Sequence, residues 1–364
     1  SLNLRDNNCE IDFGLPEYED IFLEMMFKIG LNGNKENLVP IDHFGDGYIS
    51  MFVMAVIKSI AESNDNDKCL FLFEEPESFL HENHQEYFYK MILCGLSEKG
   101  HQVIYTTHSD RMVDVFDTQG LIRIEYDEEN NQTVKKYNNI SPINLEGSEV
   151  SGGITSFQDY NNYIKILEPS LNKILFSKKV LLVEGPNDMM TYKYIIEREL
   201  MNLGKDKKYA ETFLNFKNIS IVPHHGKSTA IYLIEICKHL KLDFFVINDF
   251  DFIDNYIEKL NAIPDDFQNS LFYNNEISTI KALNKKGEQL AEKTKKAMMT
   301  NNYNLLKAAS LDKIHFNIPR LEEVLNYDSN DKDSYKIWLE LKKIESFNET
   351  IFPQKLRIFL EIES

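Results

Sequence analysis

The sequence predicts an α/β protein made of two modules. Short apolar runs alternate with helix-length segments, acidic residues follow several of these runs, and the charge balance changes near residue 170. The chain has 364 residues and a formal net charge of −18. Residues 1–170 contain 12 basic and 30 acidic side chains, whereas residues 171–364 contain 28 of each. We therefore expect one domain over residues 1–165 and a second over residues 170–364.

The composition argues against several classes of protein. Hydrophobic residues make up 43% of the chain, which is enough for packed cores and speaks against global disorder. The sequence has no run of about 18 apolar residues and no visible signal peptide, so we expect a cytoplasmic protein with no membrane partner. The acidic balance argues against coating of nucleic acid by bulk attraction. The spacing of the cysteines is typical neither of a disulfide framework nor of a zinc site.

The first module contains predicted helices, two buried strands and a closing hairpin. The helices are expected over residues 16–31, 48–62 and about 82–98, the strands over residues 69–73 and 102–106, and the hairpin over residues 121–126 and 133–137.

Two carboxylates follow the first buried strand. Glu74 and Glu75 come directly after the run CLFLF, and sites on open α/β sheets gather at this end of the strands. This is the Walker B arrangement, in which one acid orients Mg²⁺ and the next polarises the water that attacks ATP. His108 follows the second strand and is placed to reach a γ-phosphate. Gly45 and Gly47 lie in a glycine-rich loop before a helix, which suits contact with phosphate.

At these residues the first module resembles the ATP-binding cassette (ABC) ATPases. FGDG at 44–47 is similar to a degenerate signature loop, EEPE at 74–77 to Walker B with its turn, and TTHS at 106–109 to the switch histidine. The phosphate-binding motif G-x-x-x-x-G-K-[ST] does not occur in the sequence. We therefore expect a partial ABC-type ATPase domain whose start lies upstream of Ser1, with ATP as a cofactor only when that segment is present.

The second module alternates strands and helices more regularly. Strands are predicted over residues 179–183, 219–222 and 244–248, and the helices after the first two of them extend to about Glu199 and Leu240. This alternation predicts a parallel sheet.

Acidic residues follow the first and third of these strands. Glu184 and Asp188 lie in EGPND, and Asp249 and Asp251 lie in DFD. Because the carboxyl ends of parallel strands meet at one edge, we expect these side chains to lie together, with Asp249 and Asp251 on one face if the strand stays extended. Clustered carboxylates repel one another unless a cation neutralises them, and their oxygens favour Mg²⁺ or Mn²⁺. Two such ions, about 4 Å apart, would clamp a phosphodiester.

This hxxxEG…DxD pattern resembles the Toprim domain, and a Toprim domain directly after an ATPase resembles the OLD (overcoming lysogenisation defect) family. VEGPND at 183–188 matches the first Toprim motif, INDFD at 247–251 the second, and Gly226-Lys227 is similar to the GK of OLD-like versions. The family includes the nuclease subunit of the Gabija anti-phage system and retron-associated effectors. The resemblance implies a Toprim sheet, a metal-dependent DNA endonuclease and a role in phage defence.

The resemblance also implies roles for individual residues. Its metal ligands would be Glu184, Asp249, Asp251 and Glu322. Asp188 is expected to assist them, and Lys227 to steady a phosphate or to pair with the acidic cluster. The family carries its downstream acid in a D-L-E-like motif, whose counterpart here is RLEE at 320–323, so Arg320 replaces the family Asp.

The expected substrate is double-stranded DNA. Residues 281–296 contain six lysines and two acidic residues, and Lys205, Lys207 and Lys208 form a second cluster. Either cluster can neutralise phosphates locally, although each is equally typical of a solvated surface. The resemblance further implies a homo-oligomer, a dimer or tetramer assembled through the ATPase half, and a defence partner such as a helicase or a retron complex.

These patterns favour a metal-dependent DNA endonuclease regulated by an ATPase domain. Two alternatives stay open: an ATP-gated DNA-binding scaffold or sensor with a non-catalytic Toprim site, and a Toprim strand-transfer enzyme. Strand transfer by a topoisomerase needs a tyrosine nucleophile in a separate domain, and no such domain is visible around the 18 tyrosines. Calorimetric metal binding would separate the endonuclease from the scaffold.

Overall fold

The computed structural model divides into two compact units, Ser1–Met112 and Val113–Ser364, which are described one after the other. The structure describes residues 28–30, 38–40, 43, 45, 47–49, 52, 55–57, 59, 68–78, 80–127, 130–139, 157–283, 288–327 and 333–362. Within this part of the chain, no helix is both long and apolar enough to cross a membrane. The domain boundary near residues 165–170 stays a prediction.

A short antiparallel pair begins the described part of the first unit. Strand β1 (Lys28–Gly30) pairs with β2 (Leu38–Pro40). The helix predicted over residues 16–31 is therefore wrong at its end, where β-branched Ile29 and Gly30 are poor helix formers. Residues 16–27 of that prediction lie outside the described residues. In the predicted helix over residues 48–62, every described residue is helical.

Two parallel strands carry the predicted ATPase acids. Strand β3 (Leu70–Phe73) pairs with β4 (Gln102–Tyr105), and between them the chain is helical from α1 (Glu82–Tyr87) through a π-helical segment (Phe88–Cys94) to α2 (Gly95–Glu98). This confirms the predicted strand–helix–strand order. The helical stretch buries Phe88, Ile92, Leu93 and Leu96 against the inward-facing side chains of the strands.

The second unit begins with the predicted hairpin. Strands β5 (Leu121–Asp127) and β6 (Gln132–Asn139) are antiparallel, which confirms that prediction. Helix α3 (Phe157–Leu167) and a 3₁₀ turn (Leu171–Phe176) then lead towards the main sheet. Arg123 ties the hairpin to this turn, since its Nη1 donates to the carbonyl oxygens of Leu175 at 3.0 Å and Ser177 at 2.7 Å.

A four-stranded parallel sheet forms the centre of the second unit. Its strands are β7 (Lys179–Val183), β8 (Ile219–Pro223), β9 (Asp243–Asp249) and β10 (Ile314–Asn317). They lie in the order β10-β9-β7-β8, and all neighbours run parallel. The three strands predicted in this module are confirmed, as is the parallel sheet. Strand β10 was missed because its four residues, IHFN, alternate with polar side chains and give only a short signal.

Helices connect the strands and cover both faces of the sheet. They are α4 (Pro186–Asn202), α5 (Lys207–Phe216), α6 (Lys227–His239), α7 (Ile257–Ala262), α8 (Glu292–Ala309), α9 (Leu321–Val324), α10 (Ser334–Leu341) and α11 (Gln354–Leu360).

The side chains of β7 show how the two layers form. Val180 and Leu182 pack into one apolar core with α6 and α8, whereas Leu181 and Val183 pack into another with α4, α5 and α11. Successive strand residues point to opposite faces, so a strand buried on both sides reads as a continuous apolar run. In such a sheet, ligand sites lie at the carboxyl ends of the strands.

The crossover from β9 to β10 contains a buried lysine. Lys295 on α8 is 3% exposed, and its ammonium donates to the carbonyl oxygens of Ser278 at 2.5 Å and Ile280 at 2.9 Å. A lysine is buried in this way only when its charge is paired or fully hydrogen-bonded. Lys295 therefore holds the segment before α8 in place, and it is not available to a DNA phosphate.

We expect Lys295→Met to lower the free energy of unfolding by about 2 kcal/mol, because one buried and one half-buried carbonyl group would lose their donor. Urea unfolding followed by the fluorescence of Trp338, the single tryptophan, measures this loss in the second unit. Lys293→Met is the matched control, since Lys293 is exposed on the same helix, and its effect should stay within about 0.5 kcal/mol. Equal losses in the two variants would contradict the role of Lys295.

Candidate functional site

The predicted acidic residues gather at the carboxyl edge of the parallel sheet. Glu184 follows β7, Asp249 ends β9, and Asp188 lies in the first turn of α4. Oε2 of Glu184 accepts hydrogen bonds from the Asp249 N–H at 3.2 Å and from the Asn248 side-chain amide at 2.6 Å. The ends of two neighbouring strands are therefore joined through one carboxylate.

Asp188 lies buried beside Glu184. Its Oδ2 accepts the N–H of Gly185 at 3.2 Å, while its Oδ1 is buried and has no hydrogen-bond partner among the described residues. Burial, and after it the charge of Glu184, raises the pKa of Asp188 to about 7. A buried carboxylate oxygen without a donor is a position at which a cation would supply the missing compensation.

The other two carboxyl groups also resist ionisation. Burial raises the pKa of Glu184, against the opposing effects of the Asp249 N–H and of Lys227. Burial, followed by the charges of Glu184 and Asp188, raises the pKa of Asp249 well above its ordinary value. Asp249 is held by the Leu321 N–H, which donates to its Oδ1 at 2.9 Å. The three acids therefore repel one another, and Lys227 offsets only part of this repulsion at Glu184.

Glu322 lies within electrostatic range of this cluster. It is in α9, directly after β10, and its charge contributes to the raised pKa values of Glu184, Asp188 and Asp249. Its assignment as the family's downstream acid stays a prediction.

The donor set fits a hard divalent cation in chemistry and in charge, because carboxylate oxygens suit Mg²⁺ and Mn²⁺. The unpartnered Oδ1 of Asp188 and the mutual repulsion of the acids are the observations that support this fit. As the side chains stand, no three His, Cys, Asp or Glu groups in the described ranges converge closely enough to hold a metal ion.

Asp251 departs from the extended geometry that the sequence suggested. Strand β9 ends at Asp249, and Asp251 has a φ of 65° in the left-handed region, so the strand alternation does not continue to it. Its Oδ2 accepts from Nζ of Lys227 at 2.7 Å, and its Oδ1 accepts from Nε of Arg320 at 3.1 Å. Lys227 thus pairs with Asp251, and the role of Asp251 as a metal ligand stays a prediction.

Three buried asparagines that the sequence reading did not assign hold the edge together. Asn248 donates to Glu184, Asn317 donates to Oδ1 of Asp249 at 3.3 Å, and Asn302 of α8 donates to the Phe250 carbonyl at 2.6 Å. A polar amide within an apolar strand was the available signal for Asn248. Asn317 lies on the strand that was missed, and Asn302 gave no signal.

In the first unit, the ends of β3 and β4 bring Glu75 and His108 together. Nε2 of His108 lies 3.0 Å from Oε1 of Glu75, while Glu74 is exposed beside them. Buried Glu77, to which the sequence assigned no role, accepts from the Thr107 hydroxyl at 2.5 Å and from the His108 N–H at 2.7 Å. Glu77 therefore positions the histidine segment.

Gly45 and Gly47 make local contacts. The carbonyl of Gly45 accepts the N–H groups of Tyr48 at 2.7 Å and Ile49 at 3.3 Å, and Gly47 is helical. Contact of the two glycines with phosphate stays a prediction.

The predicted DNA-contact lysines differ in availability. Lys281 is exposed, whereas Lys296 pairs with Glu292 at 2.7 Å and lies over the Tyr273 ring at 4.9 Å. Lys285 and Lys286 lie outside the described residues. The lysines of the second cluster are exposed: Lys205, Lys207 and Lys208.

A doubly covered parallel sheet with Glu184, Asp249 and Asp251 at its carboxyl edge defines a Toprim domain. Residues 175–251 match the family model described as the overcoming lysogenization defect protein-like TOPRIM domain, and residues 3–113 match an AAA ATPase domain. The chain therefore combines a segment that matches an AAA ATPase domain with a segment that matches an OLD-like Toprim domain.

Similar curated proteins carry nuclease names. The chain is 26% identical over 250 residues to the OLD nuclease of Thermus scotoductus, covering 67% of this chain and 42% of that protein. It is 26% identical over 259 residues to the Old nuclease of Escherichia phage P2, covering 69% and 41%. It is 23% identical over 190 residues to the endonuclease GajA of Bacillus cereus, covering 49% and 30%. The chain thus spans less than half the length of these relatives.

Proposed function

We propose that this chain carries the catalytic site of a metal-dependent DNA endonuclease of the OLD type. The observation that supports this proposal is the meeting of Glu184, Asp188 and Asp249 at the carboxyl edge of the sheet, with raised pKa values and one buried carboxylate oxygen left without a donor. Such pKa shifts are typical of functional sites. The relatives named nucleases supply the substrate class.

In this proposal Glu184, Asp188 and Asp249 hold the cation, Mg²⁺ or Mn²⁺, with Glu322 beside them. When bound, such an ion lowers the pKa of a coordinated water and polarises the phosphodiester. Hydrogen bonds within the chain orient the carboxylates of Glu184 and Asp249. Asn248 donates to Oε2 of Glu184 and the Leu321 N–H donates to Oδ1 of Asp249, which fixes one oxygen of each acid. The other oxygen of each accepts no hydrogen bond from the residues that the structure describes.

The experiment that tests the proposal is cleavage of supercoiled plasmid by the full chain with Mg²⁺ or Mn²⁺. We expect nicked or linear product with either ion, and complete loss of cleavage in excess EDTA. Each break should leave one phosphate end and one hydroxyl end, with no covalent protein–DNA adduct, if metal-bound water is the nucleophile. No cleavage with any divalent ion, or cleavage that persists in EDTA, would contradict the proposal.

The first unit regulates cleavage in this proposal. Glu75 and His108 lie together where the carboxyl ends of two parallel strands meet, as an ATP-hydrolysing site requires. Self-association as a dimer or tetramer through this unit, and a role in anti-phage defence with a partner protein, follow from the OLD resemblance.

A further inference from the structure

A fully buried tyrosine lies on the helix that carries Asp188. Tyr192 is one turn further along α4, and its side chain is 0% exposed. Its ring packs into the apolar core formed with α5 and α11, whereas its hydroxyl reaches the end of β10. A buried tyrosine hydroxyl needs a hydrogen-bond partner, and here the partner is the side chain of Asn317.

The hydroxyl of Tyr192 is connected to Asp249 through Asn317. It donates to Oδ1 of Asn317 at 3.1 Å, and Nδ2 of Asn317 donates to Oδ1 of Asp249 at 3.3 Å. Asn317 lies directly opposite Asp249 in the pairing of β10 with β9, and its side chain is also fully buried. The three side chains therefore form a continuous chain of hydrogen bonds from α4 through β10 to β9.

Tyr192 sets the direction of this chain. The amide of Asn317 is a donor at one end and an acceptor at the other, so a half-turn about its Cβ–Cγ bond would turn its oxygen towards Asp249. A hydroxyl that donates to Oδ1 favours the orientation in which the amide N–H faces Asp249. Burial, followed by the charge of Asp188, raises the pKa of Tyr192 well above its ordinary value, so the hydroxyl keeps the proton that it donates.

This arrangement fixes Asp249 and leaves one of its oxygens for a cation. Oδ1 receives two donors, the Leu321 N–H at 2.9 Å and the amide of Asn317. Oδ2 accepts no hydrogen bond from the part of the chain that the structure describes. Because Tyr192 and Asp188 are on the same helix, the hydrogen bonds also fix Asp249 relative to Asp188.

We propose that Tyr192 is a positioning residue of the cation site, which acts through Asn317 to hold Asp249 at a fixed separation from Asp188 and so favours Mg²⁺ over the larger Ca²⁺. Mg²⁺ requires near-ideal octahedral geometry with oxygens at about 2.1 Å, whereas Ca²⁺ accepts irregular arrangements at about 2.4 Å. Loosening one carboxylate therefore weakens Mg²⁺ binding more than Ca²⁺ binding. This inference rests on the proposed function, in which Asp188 and Asp249 hold the cation.

Ion affinities of the full chain measure this effect without catalysis. Mn²⁺ binding is followed by electron paramagnetic resonance, and the Mg²⁺ and Ca²⁺ affinities are obtained by competition with Mn²⁺. Tyr192→Phe keeps the ring in the core and removes only the hydroxyl. We expect this variant to bind Mg²⁺ about fivefold more weakly and Ca²⁺ less than about twofold more weakly, because Asp249 is held less rigidly.

Tyr232→Phe is the matched control. Tyr232 is also buried, and its hydroxyl likewise donates to an asparagine side chain, but that hydrogen bond joins α6 to Asn161 on α3. Both ion affinities of this variant should stay within about twofold of the parent. Equal effects of the two substitutions would overturn the positioning role. Equal losses of Mg²⁺ and Ca²⁺ affinity in Tyr192→Phe would also overturn it, since a general loosening of the fold weakens both ions alike.

A double-mutant cycle tests the route through Asn317. In an Asn317→Ala background, Tyr192→Phe should change the Mg²⁺ affinity by less than about 1.5-fold, because the group that connects the hydroxyl to Asp249 is already absent. The same fivefold loss in both backgrounds would overturn this route.

The inference and the proposed function fail in different measurements. A chain whose ion selectivity depends on Tyr192 but which cleaves no DNA would contradict the endonuclease and keep the positioning role. A chain that cleaves DNA while Tyr192→Phe binds both ions like the parent would do the reverse. A parent chain that binds none of the three ions would contradict both.

Discussion

Asp249→Asn is expected to lower the rate of metal-dependent plasmid cleavage about 10³-fold. A bound metal ion supplies several kcal/mol of transition-state stabilisation, and about 4 kcal/mol corresponds to this factor. Asn keeps one oxygen to accept the Leu321 N–H, so the edge of the sheet should remain formed. The measurement is the initial rate of supercoiled plasmid loss at saturating Mg²⁺ or Mn²⁺.

Asp243→Asn provides a matched control for this variant. Asp243 begins the strand that Asp249 ends, so the same chemical change is made at the opposite edge of the same sheet. Its ion pair with Lys313 at 2.9 Å is partly exposed and is worth about 0.5 kcal/mol. We expect its cleavage rate to stay within about twofold of the parent. Similar rates for the two variants would remove Asp249 from the catalytic site.

Asp188→Asn is expected to stabilise the metal-free protein at pH 8 by about 2–4 kcal/mol. The pKa of Asp188 rises from an unfolded value of 3.8 to about 7 on folding, and each pH unit is worth about 1.4 kcal/mol. Between pH 3.8 and about pH 7, Asp188 is protonated in the folded state and ionised in the unfolded state. The parent therefore loses stability as pH rises from about 4 to 7, and the amide variant lacks this loss.

Urea unfolding in EDTA at pH 4.5 and pH 8, followed by Trp338 fluorescence, measures this difference. Asp188→Asn should raise the free energy of unfolding only slightly at pH 4.5 and by the full amount at pH 8. Asp206→Asn is the control, because exposed Asp206 caps α5 through the Tyr209 N–H and Asn caps a helix equally well. A variant that is less stable than the parent at pH 8 would contradict the buried, uncompensated carboxylate. Added Mg²⁺ should stabilise the parent more than the variant.

The sequence predicted the second unit well where a strand is long and buried on both faces. KVLLV and FFVIN are apolar runs followed directly by acidic turns, and each lies where it was expected. The prediction failed for segments that are strands only because they pair with a distant part of the chain. Strand β10 has four residues and is defined by its pairing with β9, and Lys28–Gly30 is a strand because it pairs with Leu38–Pro40.

The candidate site likewise contains residues that the sequence could place and residues that it could not. Glu184 and Asp249 could be placed because parallel strands end at one edge, which needs only the strand assignments. The two ion pairs of Asp251 could not be placed. They depend on the left-handed conformation of Asp251 and on the position of Arg320 after a strand that was missed. Burial of Asp188 and its unpartnered oxygen likewise depend on packing and not on sequence spacing.

The hydrogen bond that Asn302 donates to the Phe250 carbonyl ties the acidic edge of the sheet to helix α8. Phe250 stands between Asp249 and Asp251, and Asn302 lies on α8, the helix that also carries Lys293 and Lys296. Because this hydrogen bond is buried, a substitution that shifts α8 would also displace the peptide that joins the two aspartates.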